Sequence, residues 1–292
     1  FQTNNLTISP NGTEKLGGVN ADAVLNTEGQ SVTFVYVDAT EGWINVQDST
    51  SAVQGRLVTP FIIATVSGAC NTLTTSGNCK IATFTGPGTF CVTNEGTGLN
   101  QVVSHMVIAG GGGGGHDDGG GGGAGGFREN ESPVTPYTAS PLSGGTAVTI
   151  SSASAIPIIV GAGGAGAIPG VACNAVQGSS SIFSTITSAG GGYGRRSQPI
   201  AGSGGSGGGG CSGPGPTSPP QGSDGGTGGA ANAAAGGGGA GAVGGNGIPS
   251  PSGGGAGGAG VTTEINGSSV TRSGGGGGGG FNAPGAGGAG GG

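Results

Sequence analysis

Apolar and polar positions alternate in short bursts over the first hundred residues. TFVYVD at 33–38 and GWINVQ at 42–47 are rich in β-branched and aromatic residues, and the polar Ala39-Thr40-Glu41 separates them. That pattern predicts a β-hairpin. NLTIS at 5–9 alternates ahead of the turn-forming Pro10-Asn11-Gly12, and residues 23–26 supply another short strand. Residues 61–66, 80–85 and 89–93 read as a second β region, the last two pairing across Gly86-Pro87-Gly88. VSHMVIAG at 103–110, AIPIIVGAG at 155–163 and SIFSTITSAGG at 181–191 are apolar stretches that run directly into glycine. No stretch carries a 3.6-residue apolar period, and 230–235 is too short and too glycine-flanked to be a helix. The expected organisation is a small antiparallel β module over 1–59, β-hairpins over 60–109, and a glycine-rich body over 110–292.

The chain has 292 residues and 79 glycines, of which 12 fall in residues 1–105. Glycine and proline at this level without a period are the mark of a disordered spacer. Disordered chains ordinarily stay solvated through charge, however, and residues 106–292 hold only 10 charged side chains. The apolar stretches between the runs also set this chain apart from a flexible Gly/Ser linker. Order is therefore expected. Collagen needs glycine at every third place, which the unbroken run 274–280 and the His116-Asp117-Asp118 interruption violate. An α-helix loses about 1 kcal/mol per glycine relative to alanine. What remains is the polyproline II geometry adopted by glycine, with three residues per turn, about 3.1 Å per residue and no internal hydrogen bonds. Such helices have to bond to one another side by side, because buried main-chain groups need partners. The fold class expected is all-β with a polyglycine II-like sandwich.

KIATFTGPGTFCVTN at 80–94, followed by VSHMVIAGGGGGGHDDGGGGGAGGFREN at 103–130, resembles the glycine-rich domain of bacteriophage tail-fibre and related virion structural proteins. PIIVGAGGAG at 157–166, SIFSTITSAGGG at 181–192 and SPPQGSDGG at 218–226 fit the same order of strand and glycine. LTISPNGTEKLGG and SVTFVYVDATEGWINVQ look like a β module that precedes such domains, so the resemblance covers nearly the whole chain. It implies a sandwich of polyglycine II helices and a role in a fibre, in some relatives as an adhesin at the tip. Members of that family commonly close with a hydrophobic strand, whereas this sequence ends in Gly-Gly-Ala-Gly-Gly-Gly, so either the true C-terminus lies beyond it or the strand comes from elsewhere. One way to fill the resulting edge is strand addition by residues 1–10 of a neighbouring subunit, which makes Phe1, Leu6 and Ile8 candidate contact residues. The alternative is that the same segment packs within its own chain.

The chemistry-bearing residues are few. Cys70 and Cys79 bracket the polar segment 71–78, as a disulfide closing a hairpin or as two free thiols, and Cys91, Cys173 and Cys211 leave an odd one. His105 reads as a core or edge histidine in a strand; His116-Asp117-Asp118 reads as a solvated turn, or more remotely as a weak cation site. Glycine fingerprints have no meaning in polyglycine without a βαβ context. No nucleophile and base stand at an interpretable spacing, so no enzyme activity, metal or cofactor is expected. A net charge of −6 argues against nucleic acid, and no apolar span is long enough for membrane insertion. Among 12 aromatic residues, Phe127, Tyr193 and Phe281 sit at the ends of glycine runs, and Trp43 and Tyr137 lie near turns. They are candidates for stacking on a glycan or host receptor, or for capping the glycine layers. The function expected is a non-catalytic structural subunit of an extracellular or virion-borne fibre whose partners are copies of itself. A receptor-binding fibre adhesin is the alternative, and a disordered spacer is the third reading.

Overall fold

The computed structural model describes residues 6–27, 30–48, 61–169, 175–195, 200–210, 220–228, 233–249 and 252–292. The chain divides into two compact units, Phe1–Thr59 and Pro60–Gly292, and its described regular structure is nearly all β. The single 3₁₀ turn among these residues is Gly98–Gln101.

In the first unit, Val32–Asp38 pairs with Gly42–Asp48 as an antiparallel hairpin. The Asp38 carboxylate accepts from the amides of Thr40 (2.7 Å) and Glu41 (2.8 Å). Those two bonds, Glu41 first, hold the Asp38 carboxyl below its ordinary value and shape the reversal. Gly42 follows at φ 70°, where a Cβ would lie 2.1 Å from the Lys15 carbonyl oxygen. Only glycine admits that approach. Leu6–Ile8 pairs with Ala23–Leu25 of the same unit, Leu6 opposite Leu25 and Ile8 opposite Ala23. Leu6 and Ile8 thus pair within their own chain, while the Leu6 side chain stays exposed; Phe1 lies outside the described residues.

The second unit is built on a five-stranded antiparallel sheet in the order Ile186–Ser188, Ser181–Phe183, Ala155–Ile159, Gly88–Glu95, Ile62–Ser67. Along Ile62–Ser67 burial alternates residue by residue, as expected of a strand with one face covered. Val92, Val107, Val148, Ile150 and Ile186 form the buried cluster against it, with Phe90, Ile156 and Phe183 alongside.

Two sequence expectations are overturned here. Cys79–Thr83 pairs with Thr72–Ser76, not with the strand that follows it. The Asn71 side chain dictates this: its amide donates to Ser67 O (2.8 Å), and its Oδ1 accepts from Thr85 N and Gly86 N. The chain is thereby clamped between successive strands, and Gly88–Glu95 is free to pair on both edges. Cys70 and Cys79 are free thiols, as is Cys91. Cys79 faces Ser76 at the tip of its hairpin, while Cys70 precedes the base. At about 3.3 Å per residue that strand separates them by far more than the roughly 4.4–6.8 Å a disulfide spans between Cα atoms. Cys173 and Cys211 lie outside the described residues.

His105, 6% exposed, lies in His105–Ile108 and meets the Phe183 ring edge-on at 5.8 Å between centroids. Its Nδ1 has no hydrogen-bond partner among the described residues. Burial holds the imidazole below its ordinary value of 6.5, against the opposing pull of the Val103 carbonyl and of Glu129. The folded state thus binds fewer protons than the unfolded chain once the pH drops below about 6.5. Stability is fully present above that value and falls below it, by at most about 1.4 kcal/mol per pH unit from this one group. Urea titrations between pH 7.5 and 5 will show the decline, and His105→Gln will flatten it; an unchanged slope in the variant assigns the proton elsewhere.

Candidate functional site

The strands His105–Ile108 and Phe127–Asn130 pair antiparallel, His105 opposite Asn130 and Ile108 opposite Phe127. The same pairing continues into glycine. Ala109 N donates to Gly126 O, Gly112 N to Gly123 O and Gly115 N to Gly120 O, at 3.1, 2.9 and 2.9 Å. At Ala109 the bonding changes from a strand ladder to a step of three residues, the repeat of a helix with three residues per turn. His116-Asp117-Asp118 makes the reversal between the two runs, with Asp117 at φ 51° and the imidazole Nδ1 2.9 Å from its carboxylate.

Every other direction from these runs obeys the same step. Gly110 N and Gly113 N reach Ser179 O and Val176 O, and Gly111 O and Gly114 O accept from Gly164 and Ala167. From the returning run, Gly120, Gly123 and Gly126 donate to Arg195, Gly192 and Ala189, while Gly121 and Ala124 donate to Ala235 and Gly238. Gly276 N and Gly279 N donate back to Gly122 O and Gly119 O. The run 119–126 is buried throughout, and its near neighbours are main chain apart from Gln221 Oε1 beside Gly126.

This density depends on missing side chains. A Cβ on Gly120 would lie 1.8 Å from Gly209 O, on Gly125 1.9 Å from Ala109 O, and on Gly194 1.9 Å from Gly120 O. Each is main chain against main chain and cannot yield as a flexible side chain does. Alanine enters where its methyl has room, as at Ala124, Ala235 and Ala240, all buried. Ordering a residue's backbone costs roughly 1–2 kcal/mol, more for glycine, and a hydrogen bond returns a net of about 0.5–1.5. Most residues of the central run therefore need to bond both as donor and as acceptor, and the surrounding lattice lets them.

The end of the central run is fixed by a polar clasp. Glu129 is 1% exposed. Its Oε1 accepts from Tyr137 Oη (3.0 Å) and from Thr263 Oγ1, and its Oε2 accepts from Ser140 N (3.0 Å). Burial first, then the charge of Glu129 and the bond to it, pushes the Tyr137 phenol far above its ordinary value. Next to it, Arg128 Nε donates to Thr187 O (2.9 Å), and buried Gln221 takes the Phe127 amide on its carbonyl and the Ala189 amide on Oε1. The clasp joins four segments distant in sequence around the first turn beyond the glycine.

Of the five aromatic candidates, Trp43 belongs to the first unit and the other four to the second, each in a different setting. Phe127 is 3% exposed and packs with Ala240 and Val261. Tyr137 is spent on Glu129. Tyr193 is half-buried with the Arg195 guanidinium over its ring at 5.2 Å. Trp43 stacks edge-on with Tyr36 at 5.5 Å and donates its indole N–H to Glu14. Phe281 alone among the five is largely open, at 76%. Their assignment as recognition loops is corrected for Phe127 and Tyr137, because a ring at the end of a glycine run lies where lattice meets core. Glu129 and Thr263 were not recognisable in the sequence as a pair: they are 134 residues apart, and an Arg-Glu-Asn segment has the composition of a surface. Among the described residues, no group of three or more His, Cys, Asp or Glu is placed to hold a metal, and no helix is long and apolar enough to cross a membrane.

Residues 85–292 match the model of the glycine-rich domain family, and the chain belongs to that family. No curated protein and no solved structure matches it.

Two substitutions separate the lattice from mere glycine content. A Cβ on Gly112 would stand 2.1 Å from Gly192 O, whereas one on the preceding Gly111 meets nothing nearer than 3.6 Å. Gly112→Ala will destabilise the unit by about 3 kcal/mol or more, and Gly111→Ala will stay within about 0.5–1 kcal/mol of the parent or stabilise it. Equal midpoints in chemical denaturation would refute the packing. Tyr137→Phe removes one donor from buried Glu129 and will cost about 1–3 kcal/mol; a thermal midpoint unchanged within a degree would show that the clasp carries no weight.

Proposed function

We propose that this chain is a non-catalytic structural subunit of an extracellular fibre, its copies assembling head to tail around a rigid body of packed polyglycine helices. The observation that carries this reading is the three-residue hydrogen-bond ladder, which passes through run after run and leaves the central run 119–126 buried, almost entirely among main chain. A lattice of that kind resists bending and shear because each run is held from several sides. It also presents few mobile side chains on which selective binding chemistry depends, with 10 charged residues beyond residue 105. The resemblance to phage tail-fibre and virion proteins supports a virion or cell-surface setting, and family membership supports the glycine-rich body itself. The adhesin alternative loses ground because Phe127 and Tyr137 are committed to core and clasp.

Negative-stain electron microscopy of the purified full chain tests the proposal. Filaments of constant width with a regular axial repeat are expected. Single particles that sediment as one subunit across a hundredfold range of concentration would overturn it.

A further inference from the structure

The five-stranded sheet ends in two unlike edges. Ile186–Ser188, at one end of the order, is three residues long. Arg128 Nε donates to its Thr187 carbonyl (2.9 Å), and the fully buried Ser188 donates through Oγ to Val107 O (2.8 Å). A short strand under a charged side chain is a protected edge. Ile62–Ser67, at the other end, is twice as long and has neither device. Residues 61–67, Phe-Ile-Ile-Ala-Thr-Val-Ser, contain no charge, proline or glycine. Where Ile63 opposes Asn94 and Ala64 opposes Val92, the extra residue is Thr93 of the inner strand, so the edge strand itself runs regular. The chain leaving Ser67 turns toward Thr85 and Gly86 under the Asn71 clamp, at the start of the inner strand. No strand among the described residues lies beyond this edge.

The edge aims its polar main chain outward. Val92 donates to Ser154 O (2.8 Å) and accepts from Ser154 N (3.0 Å), so its main-chain groups face away from Ile62–Ser67. In an antiparallel ladder, the residue opposite such a position turns its own groups the other way. Ala64 stands opposite Val92, and its N–H and C=O therefore point to the free edge, with those of Ile62 and Val66 by alternation. The side chains of these three residues are half-buried, and Ile62 and Ala64 pack on the core. Ile63 and Thr65, between them, present their side chains to solvent, and Phe61 just before is exposed. The result is a regular, uncharged edge with β-branched side chains on both faces.

We infer that this edge is a dimer contact: Ile62–Ser67 of one copy pairs antiparallel with Ile62–Ser67 of a second copy, joining two five-stranded sheets into one of ten strands. The twofold axis passes at Ala64, because the outward groups of Ile62, Ala64 and Val66 then meet those of Val66, Ala64 and Ile62 in the second copy. That register sets Ile62 against Val66 on the core face and Ile63 against Thr65 on the outer face, cross-strand pairs of the kind that stabilise antiparallel sheets. Ala64, the smallest side chain of the strand, falls at the axis, where it meets itself. The occupant is a second copy because copies of net charge −6 repel wherever their charges face each other, and this strand brings none to the contact. A strand laid antiparallel to itself needs no other sequence to match.

This pairing goes beyond the fibre reading and does not depend on it. A twofold contact is isologous and closes after two copies. By itself it gives a dimer; in a filament built by a separate head-to-tail contact it joins two filaments side by side.

Two double variants of the full chain test the contact and its register. Ile63→Lys/Thr65→Lys sets like charges opposite each other on both sides of the axis, whereas Ile63→Lys/Thr65→Glu sets opposite charges at the same two exposed positions. The parent and the Lys/Glu variant are expected to give paired filaments in electron microscopy, or dimers in sedimentation where no filament forms. The Lys/Lys variant will give single filaments or single subunits, with a thermal midpoint within a few degrees of the parent's. Hydrogen exchange in the peptide spanning 61–67 will be about tenfold faster in the Lys/Lys variant than in the other two. A Lys/Lys variant that pairs like the parent overturns the contact, and a Lys/Glu variant that fails to pair overturns the register. Single filaments from the parent overturn the pairing and leave the fibre reading standing. Dimers without filaments, broken in the Lys/Lys variant alone, uphold the pairing and overturn the fibre reading; single subunits at every concentration overturn both. Should a lysine variant lose its fold, Ala64→Pro serves instead, since it removes an outward N–H and no bond of the sheet. A rise of about tenfold in the dissociation constant of the pair is then expected, and no rise counts against the contact.

Discussion

A helix of three residues per turn has no hydrogen bonds of its own, and every other property of this molecule follows from that deficit. Its amides and carbonyls point outward around the axis and, away from water, must meet another main chain. Main chains approach that closely only where Cβ atoms are absent. The oxygen of Gly209 at 1.8 Å from a hypothetical Cβ on Gly120 expresses the requirement at one position, and the interior of the second unit repeats it many times over. Glycine here acts as a packing element; its usual role as a point of flexibility would make the same runs melt. Positive φ occurs at turns such as Gly42 and Gly267, and the glycines of the central run show none.

Polyglycine alone has no register, since any glycine fits any glycine. Register comes from the ordinary strands. Pairing of Ile108 with Phe127 sets Gly112 against Gly123 and Gly115 against Gly120, because the antiparallel alignment passes unchanged from the two-residue to the three-residue rhythm. Glu129 and Gln221 then hold the return of the chain at the far side of the pair through bonds to Tyr137, Thr263, Ser140, Phe127 and Ala189. A buried carboxyl group left without these donors would cost more than the clasp returns. The polar cluster therefore specifies which alignment of many equivalent ones is formed. Residues that elsewhere serve chemistry serve alignment here.

The lattice also has to stop somewhere, and stopping leaves main chain unsatisfied. Inside, the runs are surrounded; at 161–169 one side opens to solvent in the three-residue pattern of burial. A sheet edge raises the same difficulty and is commonly met with charge or proline.

Much of this was legible in the residues. Apolar alternation located the hairpin at 32–48 and the strands that feed the glycine runs, and glycine abundance with little charge called for a packed, side-chain-free body. Those features are local: β-branched patterning, turn chemistry and the steric freedom of glycine act within a few residues of where they are read. The pairing of Cys79–Thr83 with the strand before it, the isolation of the Cys70 and Cys79 thiols, and the burial of Phe127 and Glu129 were not legible. They depend on which distant segments meet: the Asn71 clamp redirects one hairpin, and Thr263 reaches Glu129 across 134 residues. The sequence by itself determined the material, because a glycine helix can satisfy its main chain only by lateral bonding. Tertiary structure alone decided which run lies beside which, because identical glycines carry no address and only the strands and clasps around them do.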